Sequence, residues 1–238
     1  MPPYYFGVPA ASMALMCLLD VPERETFLIR YLQWGIDLYP ISLANNDAWI
    51  AYGGFGKARK WPILFAGIMF DDEKRKHPLA ITYYNNDPNY EVRKFSEDGH
   101  TYYGQPTAEY PAGKALWGQD CFDWGHYYSW CILHQSGNKD CRDPDGLVDG
   151  CAYRIINSKT YAGEALAALI MGAKELWGWD AFFDYTDRYV TETDLSLEER
   201  YGNVFIALMW NAYRDSIPVV AIRQDQKDIR ASYIVKIK

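Results

Sequence analysis

The stretch SKTYAGEALAALIMGAKELWGWDAFFDYTDRYV, residues 158–190, decides the fold of this chain. Its first part, residues 158–175, is rich in alanine and other small residues, which is typical of a helix that packs closely against its neighbours. After a short break, residues 179–190 supply a second helix that is rich in aromatic residues. The stretch therefore predicts a helical hairpin with a close-packed helix and an aromatic partner.

A similar pair is predicted near the start of the chain. Residues 9–20 and 23–39 read as two helices separated by Val21-Pro22, and this short break predicts an antiparallel hairpin. The second helix carries one aromatic and apolar face at helical spacing, formed by Phe27, Tyr31, Trp34 and Leu38. The order of elements repeats that of residues 158–190, although the two sequences differ. Stacked hairpins of this kind build solenoids or (α/α) toroids.

Two further helices complete the helical prediction. Trp61-Pro62 begins a compact apolar helix that ends before Asp71, since proline is well tolerated in a first helical turn. Ser196 and Glu199 form a capping-box pattern that begins a helix over residues 197–214.

The remaining segments depart from helical patterning. Residues 80–118 predict short strands and turns, an insertion into the helical body. Residues 126–135 predict a short helix, and 136–150 a turn-rich loop. We expect one helical domain over residues 1–218 and a C-terminal tail, 219–238, with at most one edge strand.

Composition restricts the functional class. The 238 residues are 49% hydrophobic and 16% aromatic, more Tyr and Trp than a core requires, and such amphipathic rings often lie at binding surfaces. The formal net charge of −7 argues against a nucleic-acid partner, which needs clustered Lys and Arg. No apolar run reaches the ~20 residues that span a bilayer, so no membrane partner is expected.

Five cysteines leave their chemistry open. Cys121, Cys131, Cys141 and Cys151 are ten residues apart, and Cys17 stands alone. This spacing does not fit a zinc site, whereas disulfides within a long loop and free thiols both remain compatible with it.

Two segments carry a resemblance to a known family. GGFGKARKWPILFAG at 53–67 and YRIINSKTYAGEALAALIMGAKELWGWDAFFDYTDRY at 153–189 resemble the inner and outer helix pairs of (α/α)-toroid polysaccharide lyases, with the heparinase- and alginate-lyase-like groups as the nearest comparison. The resemblance covers about half the chain. It implies a complete or partial (α/α) toroid, a polysaccharide or oligosaccharide substrate, and a secreted or periplasmic location, with the cytoplasm as the alternative.

β-Elimination on a uronate needs three roles, and candidate residues exist for each. A group must neutralise the carboxylate, for which Asn46 and Arg154 are suited. A base must take the α-proton, for which His126 or Tyr127 is suited. An acid must protonate the leaving oxygen, for which Tyr161 or Tyr103 is suited. Each of these residues also has a purely structural interpretation, in turns, caps or aromatic packing.

A second set of residues is predicted to bind the substrate. The loop before the third helix would gather polar groups at a helix N-terminus, which attracts anions. Aromatic residues of the 80–118 insertion would stack on sugar rings. The substrate-binding candidates are Asn45, Asp47, Trp49, Arg59, Trp61, Tyr102, Tyr103, Tyr110, Trp117 and Asn157.

No cofactor is expected. The acidic residues Asp140, Asp143, Asp145 and Asp149 were weighed as a calcium site, but Leu147 stands where an EF-hand loop would supply a ligand. Three functions remain open: a lyase, favoured by the resemblance; a glycoside hydrolase using two of Asp47, Glu109, Asp120 and Asp123; and a non-catalytic glycan-binding module. The oligomeric state is left open.

Overall fold

The computed structural model describes residues 6–44, 56–83, 91–104, 106–117, 150–192, 196 and 200–216. This part of the chain is mainly helical, with two small antiparallel strand pairs. The helices are α1 Gly7–Met16, α2 Arg24–Leu43, α3 Lys60–Phe70, α4 Glu73–Lys76, α5 Ser96–Gly99, α6 Gly150–Ile170, α7 Lys174–Trp177, α8 Asp180–Glu192 and α9 Val204–Tyr213. The strands are β1 Ile81–Tyr83, β2 Glu91–Arg93, β3 Thr101–Tyr103 and β4 Ala115–Trp117.

The small residues of α6 permit the close packing that the sequence predicts. A Cβ atom on Gly163 would lie 2.7 Å from the Cβ of Ala11 in α1, so only glycine fits at this crossing. Ala162, Ala165 and Ala168 of the same helix are fully buried. Helix α6 is therefore the centre of the core, and α1, α8 and α9 pack around it.

Helix α8 supplies the predicted aromatic layer against α6. Phe182, Tyr185 and Tyr189 are fully buried. Trp177 of α7 stacks on Phe182 with ring centroids 4.3 Å apart and planes 4° apart. These rings fill the space that the small side chains of α6 leave.

The pair α2–α3 forms a second close contact. A Cβ on Gly35 would lie 2.1 Å from the carbonyl oxygen of Pro62, so the two helices meet backbone to backbone. The predicted end of α2 at residue 39 was too early, because the helix continues through Pro40 to Leu43. A proline in the last turn removes only one N–H bond, and Ser42 Oγ donates to the Tyr39 carbonyl there at 2.7 Å.

The segment 80–118 contains the predicted strands. In the first pair Thr82 lies opposite Val92, and in the second Tyr102 lies opposite Leu116. The second pair packs on α8, where Arg188 Nε donates to the carbonyl oxygen of Ala115 at 2.7 Å. Between the two pairs, α5 enters the core with every residue buried.

The predicted helix over 197–214 is shorter than expected. Gly202 adopts a left-handed conformation, φ 79°, and separates the helical residues 200–201 from α9. Asn203 is the N-cap of α9, since its side-chain oxygen accepts from the Ile206 N–H at 2.9 Å. Residues 197–199, including Glu199 of the predicted capping box, lie outside the described residues.

Two other expectations meet the structure only in part. Within the described ranges, no helix has the length and apolar character needed to cross a bilayer. Cys17 is a buried free thiol, and the other four cysteines have no described side chain.

Candidate active site

Helix α6 carries a polar stripe inside an otherwise apolar core. Arg154, Asn157, Ser158, Tyr161 and Glu164 follow one another at helical spacing and share one face. Each is buried, with an exposed fraction of 4% for Arg154 and 0% for the other four. Buried polar groups are costly unless they meet partners, so this stripe marks a functional or structural centre.

Tyr161 meets a histidine that sequence reasoning did not select. Its hydroxyl and the Nδ1 atom of His100 share a hydrogen bond of 2.9 Å. Burial, with the nearby charge of Lys57, lowers the pKa of His100 to about 3. The imidazole is therefore neutral at physiological pH, and its Nε2 atom meets no hydrogen-bond partner among the described residues.

An ion pair anchors α5, the helix that precedes His100. Lys60 Nζ lies 2.5 Å from Asp98 Oδ2 and also donates to the Trp177 carbonyl oxygen at 2.7 Å. Trp177 Nε1 donates to the other Asp98 oxygen at 3.0 Å. This network joins α3, α5 and α7, and thereby fixes where His100 enters the core.

Two glutamates complete the surroundings of the Tyr161–His100 pair. Glu97 of α5 and Glu164 of α6 are fully buried. Burial and then the charge of Glu97 raise the pKa of Glu164 well above its ordinary value. Burial likewise raises the pKa of Glu97 to about 7. At neutral pH the two carboxyl groups therefore hold at least one proton between them.

The turn 56–59 faces both carboxyl groups with its backbone. The N–H of Arg59 donates to Glu97 Oε1 at 3.1 Å, and the N–H of Ala58 is directed at the Glu164 carboxyl. Ala58 is fully buried and has φ 63°, a left-handed conformation that an alanine adopts only when its surroundings hold it. The predicted anion attraction at the start of α3 is therefore met by carboxyl groups of the chain itself.

Lys57 of the same turn crosses α1 to reach α6. Its Nζ donates to the Ile156 carbonyl oxygen at 2.9 Å. A Cβ on Gly7 would lie 2.7 Å from Lys57 Cε and 2.4 Å from Thr160 Oγ1, so glycine makes room for this side chain. Burial, then repulsion from Lys159, lowers the pKa of Lys57 to about 7.

At the N-terminal end of the stripe, Arg154 and Asn157 lie near further aromatic rings. The Arg154 guanidinium is 5.3 Å from the ring centroid of Tyr189. Ser158 Oγ and Tyr185 Oη share a hydrogen bond of 2.6 Å. Arg154, Asn157 and Tyr161 of the predicted site thus lie on one helix face, where proton-transfer and carboxylate-binding groups are neighbours.

Several predicted aromatic residues have mainly structural surroundings. Trp61 and Trp117 are fully buried, Trp61 against Trp177 and Trp117 with its ring centroid 5.1 Å from that of His100. They present no exposed ring face to a sugar. Arg59 is partly exposed and contributes its backbone N–H to Glu97.

Three tyrosines of the 80–118 segment lie nearer the surface. Tyr103 is exposed and donates a hydrogen bond of 2.6 Å to Asp184. Tyr102 is half-buried, as is Tyr110, whose ring lies 5.1 Å from Lys114 Nζ. These three lie apart from the buried stripe in burial and in partners.

The other predicted site residues lie outside the described residues: Asn45, Asn46, Asp47, Trp49, His126 and Tyr127, together with the acidic residues weighed for calcium. Their roles remain predictions. In the described ranges, no three His, Cys, Asp or Glu side chains converge on a point where a metal ion could bind.

Sequence reasoning missed His100, Glu97 and Glu164. Glu164 leaves a signal, because a lone carboxylate within the apolar run of α6 lies one turn from Tyr161. His100 and Glu97 leave none, since they follow a strand in a segment read as turns.

Comparisons with known proteins give no family for this chain. No family model matches it, and no match was found among curated proteins or solved structures.

Proposed function

We propose that this chain is a glycan-active enzyme, a polysaccharide lyase that cleaves a uronic-acid-containing polymer by β-elimination. The observation that carries the proposal is the 2.9 Å hydrogen bond between Tyr161 and a neutral His100. A phenol beside a neutral imidazole can pass a proton in either direction, as elimination requires.

The roles follow from position on the polar stripe. With its hydroxyl proton shared with His100 Nδ1, Tyr161 exchanges a proton with the sugar, taking it from the carbon beside the carboxylate or giving it to the leaving oxygen. Arg154 and Asn157 lie one to two turns before Tyr161 and are suited to hold the substrate carboxylate. Asn46, His126 and Tyr127 remain candidates for the other roles of the reaction.

The proposed scaffold is a partial (α/α) toroid. It is supported by the central position of α6, by the aromatic layer of α8 and by the packing of α1 on α6. A crystal structure would test the scaffold: α1 and α6 should lie as neighbouring inner helices of one ring. An arrangement with α6 at the centre of a closed bundle would contradict it.

A glycoside hydrolase is the second candidate, because Glu97 and Glu164 form a coupled carboxyl pair. Hydrolysis requires one protonated and one ionised carboxyl group. Since Glu97 has a pKa of about 7 and that of Glu164 is also raised, the pair can hold one proton near neutral pH.

A product assay separates the two enzymes and the binding module. The purified chain is incubated with uronate polymers and with neutral glycans, and ultraviolet absorbance is followed together with reducing ends. The proposal predicts that both signals rise on a uronate polymer, because elimination leaves an unsaturated sugar. Reducing ends without absorbance indicate hydrolysis. Binding to a polymer without either signal indicates a non-catalytic module.

The location proposed for such an enzyme is secreted or periplasmic, since polymeric uronates lie outside the cytoplasm. Fractionation of the source cells tests this, and recovery of the protein in the cytosol would contradict it.

A further inference from the structure

The Tyr161–His100 pair is shut off from solvent by side chains and by the turn 56–59. Tyr161 and His100 both have an exposed fraction of 0%. Lys57 of the turn lies against α6 at Ile156, and its charge reaches His100. Any ligand of the pair therefore needs this side of α6 to open.

The turn is held to the core through two adjacent amides. Ala58 N–H is directed at Glu164 and Arg59 N–H donates to Glu97. The two residues combine a left-handed and a right-handed backbone, φ 63° at Ala58 and φ −112° at Arg59, which is the arrangement that directs successive amides at an anion. The left-handed alanine is unfavourable by itself, so the two carboxyl groups hold the turn in a strained conformation.

We propose that Glu97 and Glu164 form a proton-sharing lock that holds the turn 56–59 against α6, and that ionisation of both carboxyl groups releases the turn and exposes Tyr161 and His100. The proposal concerns access to the proposed active site and in that sense rests on the proposed function. The lock itself can be measured without any substrate.

The charges around Glu164 fix the pH window. Lys57 of the turn lowers its pKa, Glu97 of α5 raises it, and Tyr31 of α2 and Tyr161 of α6 remain neutral because their own pKa values are raised. Asp98 is paired with Lys60, and His100 is neutral above about pH 3.

The sign follows from proton uptake on closing. In the open turn Glu97 regains an ordinary pKa near 4.5, whereas in the closed turn its pKa is about 7. Closing therefore takes up a proton between these values, and the closed state weakens as pH rises from 5 to 7. Above pH 7 the depressed pKa of Lys57 acts in the opposite direction, because closing then releases a proton. The clear window is therefore pH 5 to 7.

Amide hydrogen exchange of the full chain, corrected for the intrinsic pH dependence, tests the lock. The opening constant of the Ala58 and Arg59 amides should rise by about tenfold per pH unit for each linked proton between pH 5 and 7. The amides of Lys74 and Arg75, which donate to Asp72, provide an internal reference, since the pKa of Asp72 is lowered and this cap stays ionised.

Two variants make the result decisive. Glu164→Gln can still accept from Ala58 but cannot ionise, so it should keep both amides protected and make the opening constant nearly independent of pH. Glu164→Leu should expose both amides at every pH while the Lys74 and Arg75 amides stay unchanged. If Glu164→Leu does not fold, Glu97→Gln tests the same slope. An equal slope in the wild type and both Gln variants would overturn the lock, whatever the polymer assay gives.

Discussion

Lys60 and Asp98 form a fully buried ion pair, with Nζ and Oδ2 2.5 Å apart, and both remaining polar contacts come from Trp177. Such a pair is weak evidence of net stabilisation, because desolvation offsets the attraction between the charges. Removing one partner, however, leaves the other charge buried and unpaired.

Asp98→Ala is therefore expected to lower the free energy of unfolding by about 3–5 kcal/mol, as measured by urea denaturation. The control is Asp184→Ala, which removes an exposed carboxylate that accepts from Tyr103 and lies 3.5 Å from Lys174. We expect the control to cost about 1 kcal/mol or less. Equal losses in the two variants would show that the Lys60–Asp98 pair is not buried as described.

Gly35→Ala tests the close contact of α2 with α3. The added Cβ would lie 2.1 Å from the Pro62 carbonyl oxygen, so the helices must separate, and we expect a net loss of about 1–3 kcal/mol despite the better helix propensity of alanine. Gln33→Ala, at an exposed position of the same helix, should change stability by less than about 0.5 kcal/mol. A stabilised Gly35→Ala protein, by thermal or urea unfolding, would contradict the described α2–α3 contact.

Glu97→Gln is expected to change how stability depends on pH. In the wild type the raised pKa of Glu97 contributes stability that is present below about pH 4.5 and is lost as pH rises through about 7. The variant lacks this loss, so relative to wild type its free energy of unfolding should increase from pH 5 to pH 7, by at most about 3 kcal/mol. Unfolding curves at both pH values check this, and a constant difference would show that Glu97 does not titrate differently on folding.

Asn203→Ala tests the start of α9. The side-chain oxygen of Asn203 caps the Ile206 N–H, and its Nδ2 donates to Ser12 Oγ of α1 at 2.8 Å. We expect a loss of about 1–2 kcal/mol in urea unfolding. Asn203→Asp keeps the cap but loses the donor to Ser12, and should lie between wild type and alanine. If alanine and wild type were equally stable, Asn203 would not be the cap.

The helical body could be predicted because its signal is local. The alanine-rich pattern of α6 and the aromatic pattern of α8 each specify a helix and its buried face. The ends of the helices were less predictable. Pro40 lies within α2, where one lost hydrogen bond is tolerated, and Gly202 interrupts a helix that Ser196 seemed to begin.

The candidate site was only partly predictable. Arg154, Asn157 and Tyr161 share a face of α6 by spacing alone, so sequence places them together. The partner of Tyr161 is His100, 61 residues away and joined to it only by tertiary packing of α5. Trp61 and Trp117 were chosen for their rings, but an aromatic ring in a core and one at a binding surface have the same sequence signal.

The account rests most directly on the Tyr161–His100 pair, and one comparison of rates tests it. Initial rates of absorbance increase are measured on the uronate polymer that the wild type cleaves, for the wild type, Tyr161→Phe and Tyr185→Phe. The control also removes a buried hydroxyl, the one bonded to Ser158, from the neighbouring helix. The account predicts a loss of at least about 100-fold for Tyr161→Phe and a rate within a few-fold of wild type for Tyr185→Phe. Wild-type activity in folded Tyr161→Phe would contradict it.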